Sequence, residues 1–395
     1  MILPKPRGEL GAALFEMLRA LPGSSGRLPA AADDLEDAAL SLWVLHELSY
    51  SGFEDVDDEA DWDLVALGLR RTLERELEQR LRVRWSGNPG GGFTADDLLA
   101  YVEADDGPSL ASYVQKHATR AETLELMRQR SLYHLKEADP TSWVVPRLPI
   151  RAKAALVELQ FDEYGDGDPN RLHSHRFARG LDAAGLRSEY GAYVDEAIVE
   201  TLEMNNAMSL FGLHRRLRGA AAGHLAAFEA SSSVPSRRMA QGLVRLGFAD
   251  ELVGYYTEHV EADATHEQLG ARNICGTLAE DEPGQVDGIW FGAFTCLDLE
   301  ARFARSMLRG GRAPREWPRL PTTTQTLSCA RADRCWSVAH RPCRIPTGRC
   351  THLSGRSWRC AAAASRPGCP SPTAPTSCSP RMHVLEVSRP RRERR

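Results

Sequence analysis

Apolar positions recur every three to four residues along the first 311 residues, the period of amphipathic helices, and no segment alternates as a half-buried strand would. The pattern predicts helices over residues 10–21, 37–48, 61–85, 109–138, 151–164, 168–185, 207–232, 234–246, 251–278 and 286–309, with a turn or two more within 189–204. Residues 37–48, written DAALSLWVLHEL, are apolar on most faces and read as a core helix. Residues 86–93, SGNPGGGF, form a plain loop. They lack the Gly-Lys-Ser/Thr ending of a phosphate loop, and Thr94 behind them is placed as a helix cap. Asp168 with Pro169 reads as another helix start, and Pro140 as the end of the helix before it. The small-residue run GAAAG, 219–223, allows a neighbouring helix to approach closely. The architecture expected is an all-α multi-helix bundle. Within it an N-terminal helical segment, 1–110, packs on a bundle domain of 111–311.

From residue 312 the composition changes. This stretch holds 11 of the 23 prolines, 17 arginines, no lysine and 4 acids, and it shows no helical period. It reads as a disordered, unstructured C-terminal tail resembling a GC-rich gene translated out of frame. Its seven cysteines never fall at the C-x2-C or C-x4-C spacing of a zinc module. Its net charge of +13 hides an acidic body of −18 behind the chain total of −5. An acidic body argues against nucleic acid and anionic membranes as partners. With no run of about 18 apolar residues, no secretory leader pattern and only Cys275 and Cys296 in the body, a cytoplasmic protein is expected.

Candidate chemistry centres on residues 255–268, YYTEHVEADATHEQ. His259, Asp263 and His266 fall at i, i+4 and i+7 and therefore share one helical stripe. Two imidazoles with a carboxylate between them suit divalent transition metals, and a carboxylate can bridge two ions. A charged helix that merely carries two histidines is the plain alternative. Upstream, Glu229 shares a face with Ala222, Leu225 and Ala226, and Glu163 with Leu156 and Leu159. A carboxylate buried on an apolar face costs several kcal/mol or more unless it is paired. Each therefore calls for a cationic or metal partner. His173 shares a stripe with Phe177 and Gly180, and Glu137 closes its helix behind Tyr133 and His134. Four carboxylates and three imidazoles suffice for two irons with positions left for dioxygen, and four carboxylates neutralise two Fe(II). A ferritin-like site would need two Glu-x-x-His pairs on separate helices, and only Asp263-Thr-Ala-His266 comes near one.

The order Glu, Glu-x9-His, Glu, His-x3-Asp-x2-His resembles the heme-oxygenase-like diiron oxidases and oxygenases, including the actinobacterial iron-containing redox enzymes. The strings that carry it are LKEADP, ELQFDEYGDGDPNRLHSHRF, NNAMSLFGLHRRLRGAAAGHLAAFE and FADELVGYYTEHVEADATHEQ, within residues 30–310. The resemblance implies a heme-oxygenase-like bundle with two Fe(II) per chain. Glu137, Glu163, His173, Glu229, His259, Asp263 and His266 would serve as metal ligands and catalytic residues, while His175 has no counterpart. It also implies O2 and a small-molecule substrate as partners, and it admits an external electron donor and a homodimer. Asn205, Asn206 and Met208 are the residues expected to line the pocket. Two other classes stay open. One is a metal-free binding module of the same fold. The other is a thiaminase-like hydrolase, which would need Cys275 or Cys296 as nucleophile. Heme degradation would need an axial histidine on an early helix, for which His46 stands in place, but the carboxylates argue against a porphyrin.

Overall fold

The computed structural model describes residues 1–21, 28–29 and 31–309, the side chains of 261–264 excepted. The chain divides into two units, 1–322 and 323–395, and every described residue lies in the first. The described residues hold helices and no strand. The all-α expectation is met, while the tail from 310 onward lies outside them.

α1 (Glu9–Arg19), α2 (Leu35–Glu47), α3 (Leu64–Arg84) and α4 (Ala95–Glu103) make up the N-terminal part. α2 is enclosed from Asp37 to Glu47, as its apolar sequence requires. Its buried Asp37 caps the start of α1 from outside, accepting hydrogen bonds from the backbone N–H of Leu10 and Gly11. Thr94 caps α4 through the Asp97 N–H, as its position implied. α5 (Leu110–Lys116), α6 (Arg120–His134), α7 (Asp139–Ser142) and α8 (Ile150–Glu163) follow. Then come α9 (His173–Ala183), α10 (Val199–Leu213), α11 (Arg218–Arg245) and α12 (Asp250–Gln268). A π-helical segment, Leu269–Gly276, leads through α13 (Thr277–Asp281) to α14 (Val286–Leu308). α11 lies at the centre, packed against α14 and α12, with α9 against α12 and α2 against α10.

Several helix boundaries differ from the apolar pattern. The stretch 109–138 is two helices, because Thr119 and Glu122 form a reciprocal cap that opens α6. α6 then ends at His134, before Pro140, which sits at the start of α7. The intervening turn carries Glu137. Asp168 does not start a helix. Its carboxylate accepts from the Asn170 N–H in a turn, and α9 begins only at His173. The stretch 207–232 breaks at His214, which is extended and bonds Glu74 through Nε2 at 2.7 Å. α11 then runs unbroken through Pro235 instead of restarting at 234. The preceding Ser231 and Ser232 donate their hydroxyls to the Phe228 carbonyl, one turn before the carbonyl that proline leaves without its regular donor.

Close approach of α11 and α14 depends on glycine. A methyl group at Gly223 would run into the Ile289 carbonyl, and one at Gly292 into the Ala220 carbonyl. The neighbour that the GAAAG run admits is therefore α14. Gly270, in the π-helical segment, meets Ala226 of α11, where an added Cβ would lie 3.1 Å from the Ala226 Cα. These contacts fix the height at which α11 presents Glu229 to α12.

Candidate metal centre

Five elements converge where α12 meets α9 and α11 beside the end of α8. Glu137 comes from the turn after α6, Glu163 is the last residue of α8, and His173 is the first of α9. Glu229 comes from the middle of α11, and His259 and His266 from α12. Six of the seven residues singled out in the sequence thus meet. The seventh, Asp263, falls on α12 but its side chain lies outside the described ones.

The six form two groups, Glu137–His173–His259 and Glu163–Glu229–His266. Within each, one ligand atom per residue lies within 4.8 Å of the others. Two donors on one first-row ion, each at about 2.1 Å, stand at most roughly 4.2 Å apart. Each group is therefore within a small adjustment of a coordination sphere. Glu163 joins them: its Oε2 lies 3.0 Å from His173 Nδ1 of the first group, and its Oε1 lies 3.5 Å from His266 Nδ1 of the second. A chamber of about 20 Å³ separates the groups, lined by Glu137, Glu163, Glu229 and His259 with Tyr133 and Phe228. Roughly 10–15 Å³ suffices for one water, so the space is ion-sized.

Neighbouring groups set the imidazole orientations. His259 Nδ1 lies 2.8 Å from the Tyr255 carbonyl, which turns Nε2 toward Glu137 Oε1 at 3.9 Å. His266 Nε2 lies 2.8 Å from Asp162 Oδ2, which turns Nδ1 toward Glu229 Oε2 at 3.3 Å. His173 Nδ1 is buried and 3.0 Å from Glu163, yet the two lack the alignment of a hydrogen bond. Polar atoms this close without a shared proton are what ligands of a common ion present. Glu137 is also held by Tyr255, whose hydroxyl is 3.3 Å from Oε2, and by His134, whose Nδ1 is 3.0 Å from the same oxygen.

Electrostatics matches that picture. Burial pushes the Glu229 carboxyl up, with Glu163 adding to the shift and His266 opposing it. Burial alone would raise Glu137, but hydrogen bonds with His134 and His259 hold it well below the usual range. Burial would lower His266, yet Glu229, Glu163 and Asp162 together bring it up to about 9. Three buried carboxylates facing three imidazoles thus attract positive charge, and a divalent ion would take the place of the shared protons. The donor set, oxygen from carboxylate and nitrogen from imidazole, fits iron.

Outside the ring, an open cavity of about 710 Å³ lies between α8 and α12, with His266, Asp162, Glu158, Thr257, Glu258 and Leu269 among its walls. The pocket residues proposed from sequence are not there. Asn206 donates to the Ala39 carbonyl and accepts at His46, and Asn205 donates to the Thr201 carbonyl, so both are packing residues. Met208, on the same helix, lines none of the cavities beside the six. His46 is fully engaged by Asn206 and Glu74, away from the ring. Cys275 and Cys296 are buried, and burial raises both thiols far above their ordinary value, so neither suits a nucleophile. His175 is exposed. Sequence reasoning missed Asp162 and Tyr255. Tyr255 could have been found four residues before His259 on the same stripe, and Asp162 through its adjacency to Glu163.

Residues 124–301 match the family described as iron-containing redox enzyme. A curated relative, nitrosourea synthase from Streptomyces achromogenes subsp. streptozoticus, is 30% identical over 198 residues, 48% of this chain and 42% of that protein. The alignment thus spans less than half of the relative's length. The matched segment contains all seven sequence-derived ligands, and both comparisons support an oxidase-like function.

Proposed function

We propose that this chain, whose residues 124–301 match the iron-containing redox enzyme family, is a nonheme diiron oxidase or oxygenase that uses O2 to oxidise a small organic substrate. The observation that carries the reading is the pair of carboxylate–imidazole groups sharing Glu163. Glu137, His173 and His259 would hold one Fe(II), and Glu163, Glu229 and His266 the other, with Asp263 completing the set. Bound there, the two ions supply the electrons that make dioxygen reactive. Glu163 spans the two positions. Tyr255 and His134 fix Glu137, and the Tyr255 carbonyl fixes His259. The aromatic wall of Tyr133 and Phe228 keeps bulk water from the chamber. The open cavity beside His266 is the substrate's approach. The relative's name supports a nitrogen-bearing substrate.

Oxygen uptake tests this. Protein loaded anaerobically with Fe(II) is expected to consume O2 faster than the same Fe(II) in buffer, and His259→Ala to lose the difference. Uptake no faster than buffer would remove the reading and leave a metal-free binding module of this fold.

A further inference from the structure

Asp162 and Glu163 are consecutive, so their carboxylates leave α8 about 100° apart. Glu163 points into the ring and is 8% exposed, whereas the Asp162 side chain stands at the cavity edge and is 42% exposed. Its Oδ2 is nevertheless 2.8 Å from His266 Nε2, on the side of the imidazole away from Glu163 and Glu229. A neutral imidazole presents a lone pair on one nitrogen and a proton on the other, and the partner of the protonated nitrogen decides which is which.

We propose that Asp162 is a positioning residue for the metal centre: it holds the proton on His266 Nε2 and the ring plane in place, so that Nδ1 faces the ion shared with Glu163 and Glu229. His259 has the complementary arrangement, its Nδ1 held by the Tyr255 carbonyl and its Nε2 turned inward. The two α12 histidines therefore use opposite nitrogens. The reason lies in where α12 offers acceptors. His259 reaches a carbonyl of its own helix four residues back, while the Nε2 of His266 faces a carboxylate of α8. Of the other carboxylates around the cavity, Glu258 pairs with Arg176 and Asp166 with Arg171, and Glu158 forms no ion pair with His266; Asp162 is the one that stands within ion-pair distance of His266 Nε2.

The inference rests on the diiron reading, and Fe(II) binding to the full chain separates the two. Wild type, Asp162→Ala, Asp162→Asn and Glu158→Ala are titrated anaerobically with Fe(II) against a competing chelator, and each is loaded with Co(II) for its visible spectrum. Asp162→Ala is expected to weaken one of the two sites by about 10–100-fold and to alter the Co(II) bands. Asp162→Asn keeps an acceptor oxygen and is expected to retain both affinity and spectrum, as is Glu158→Ala on the same wall. Wild-type binding in Asp162→Ala, or equal weakening in Asp162→Ala and Asp162→Asn, would overturn the positioning role while the diiron reading stands. A wild-type protein that binds no iron would overturn both.

Discussion

Replacing Glu163 by alanine is expected to reduce bound iron from about two per chain to well below one, a larger loss than any other single ligand produces. His266→Ala or Glu137→Ala removes a donor from one group, and the other group keeps its set. Glu163 is different, because each of its oxygens faces an imidazole of a different group. Without it, two neighbouring divalent ions would repel each other with no carboxylate between them, and His173 and His266 would lose the carboxylate that faces both. Iron analysis after anaerobic loading and desalting checks this, with His175→Ala as a control that retains full iron because His175 is exposed and outside the ring. Equal iron in Glu163→Ala and wild type would remove the bridging role.

The second large effect is on stability. Gly223→Val is expected to destabilise the protein by about 3 kcal/mol or more, since overpacking a tight core contact commonly costs 1–3 kcal/mol and the obstacle here is backbone. The added carbon would meet the Ile289 carbonyl of α14, which cannot swing aside as a side chain could. For a chain of this size each kcal/mol lowers the melting temperature by roughly 2–4 °C, so a fall of about 6–12 °C is expected. Gly254→Ala is the contrast. It lies on α12 with nothing within 4 Å of the added methyl, and alanine favours a helix interior over glycine by about 0.5–1 kcal/mol. Thermal unfolding of the three proteins separates the cases. A Gly223→Val melting point equal to wild type would mean that α11 and α14 are not held together as described.

Much of this was readable from residue order. The period of the helices is set by local side-chain pattern, so the bundle followed directly, and the ligand spacing on α12 is a property of one rigid helix. What escaped depends on contacts between distant segments or on competing local hydrogen bonds. The break at His214 is stabilised by Glu74, 140 residues away in sequence. The continuity of α11 through Pro235 goes with its packing against α5, α12 and α14, which no apolar count includes. Asn205 and Asn206 read as pocket residues because polar side chains on a buried helix suggest a ligand, yet their amides are satisfied by backbone carbonyls. Asp162 was passed over because a carboxylate beside a stronger candidate on a half-exposed helix looks like solvated surface. Its partner, His266, is supplied by another helix, and sequence spacing cannot show that.

The central claim is that two metal ions share one carboxylate inside this bundle. Mössbauer spectroscopy of the full chain loaded anaerobically with 57Fe(II), combined with total iron, tests it most directly. The account predicts about two high-spin ferrous ions per chain, in two distinguishable environments that become magnetically coupled after exposure to O2. One iron per chain, or two that remain uncoupled after oxidation, would contradict it.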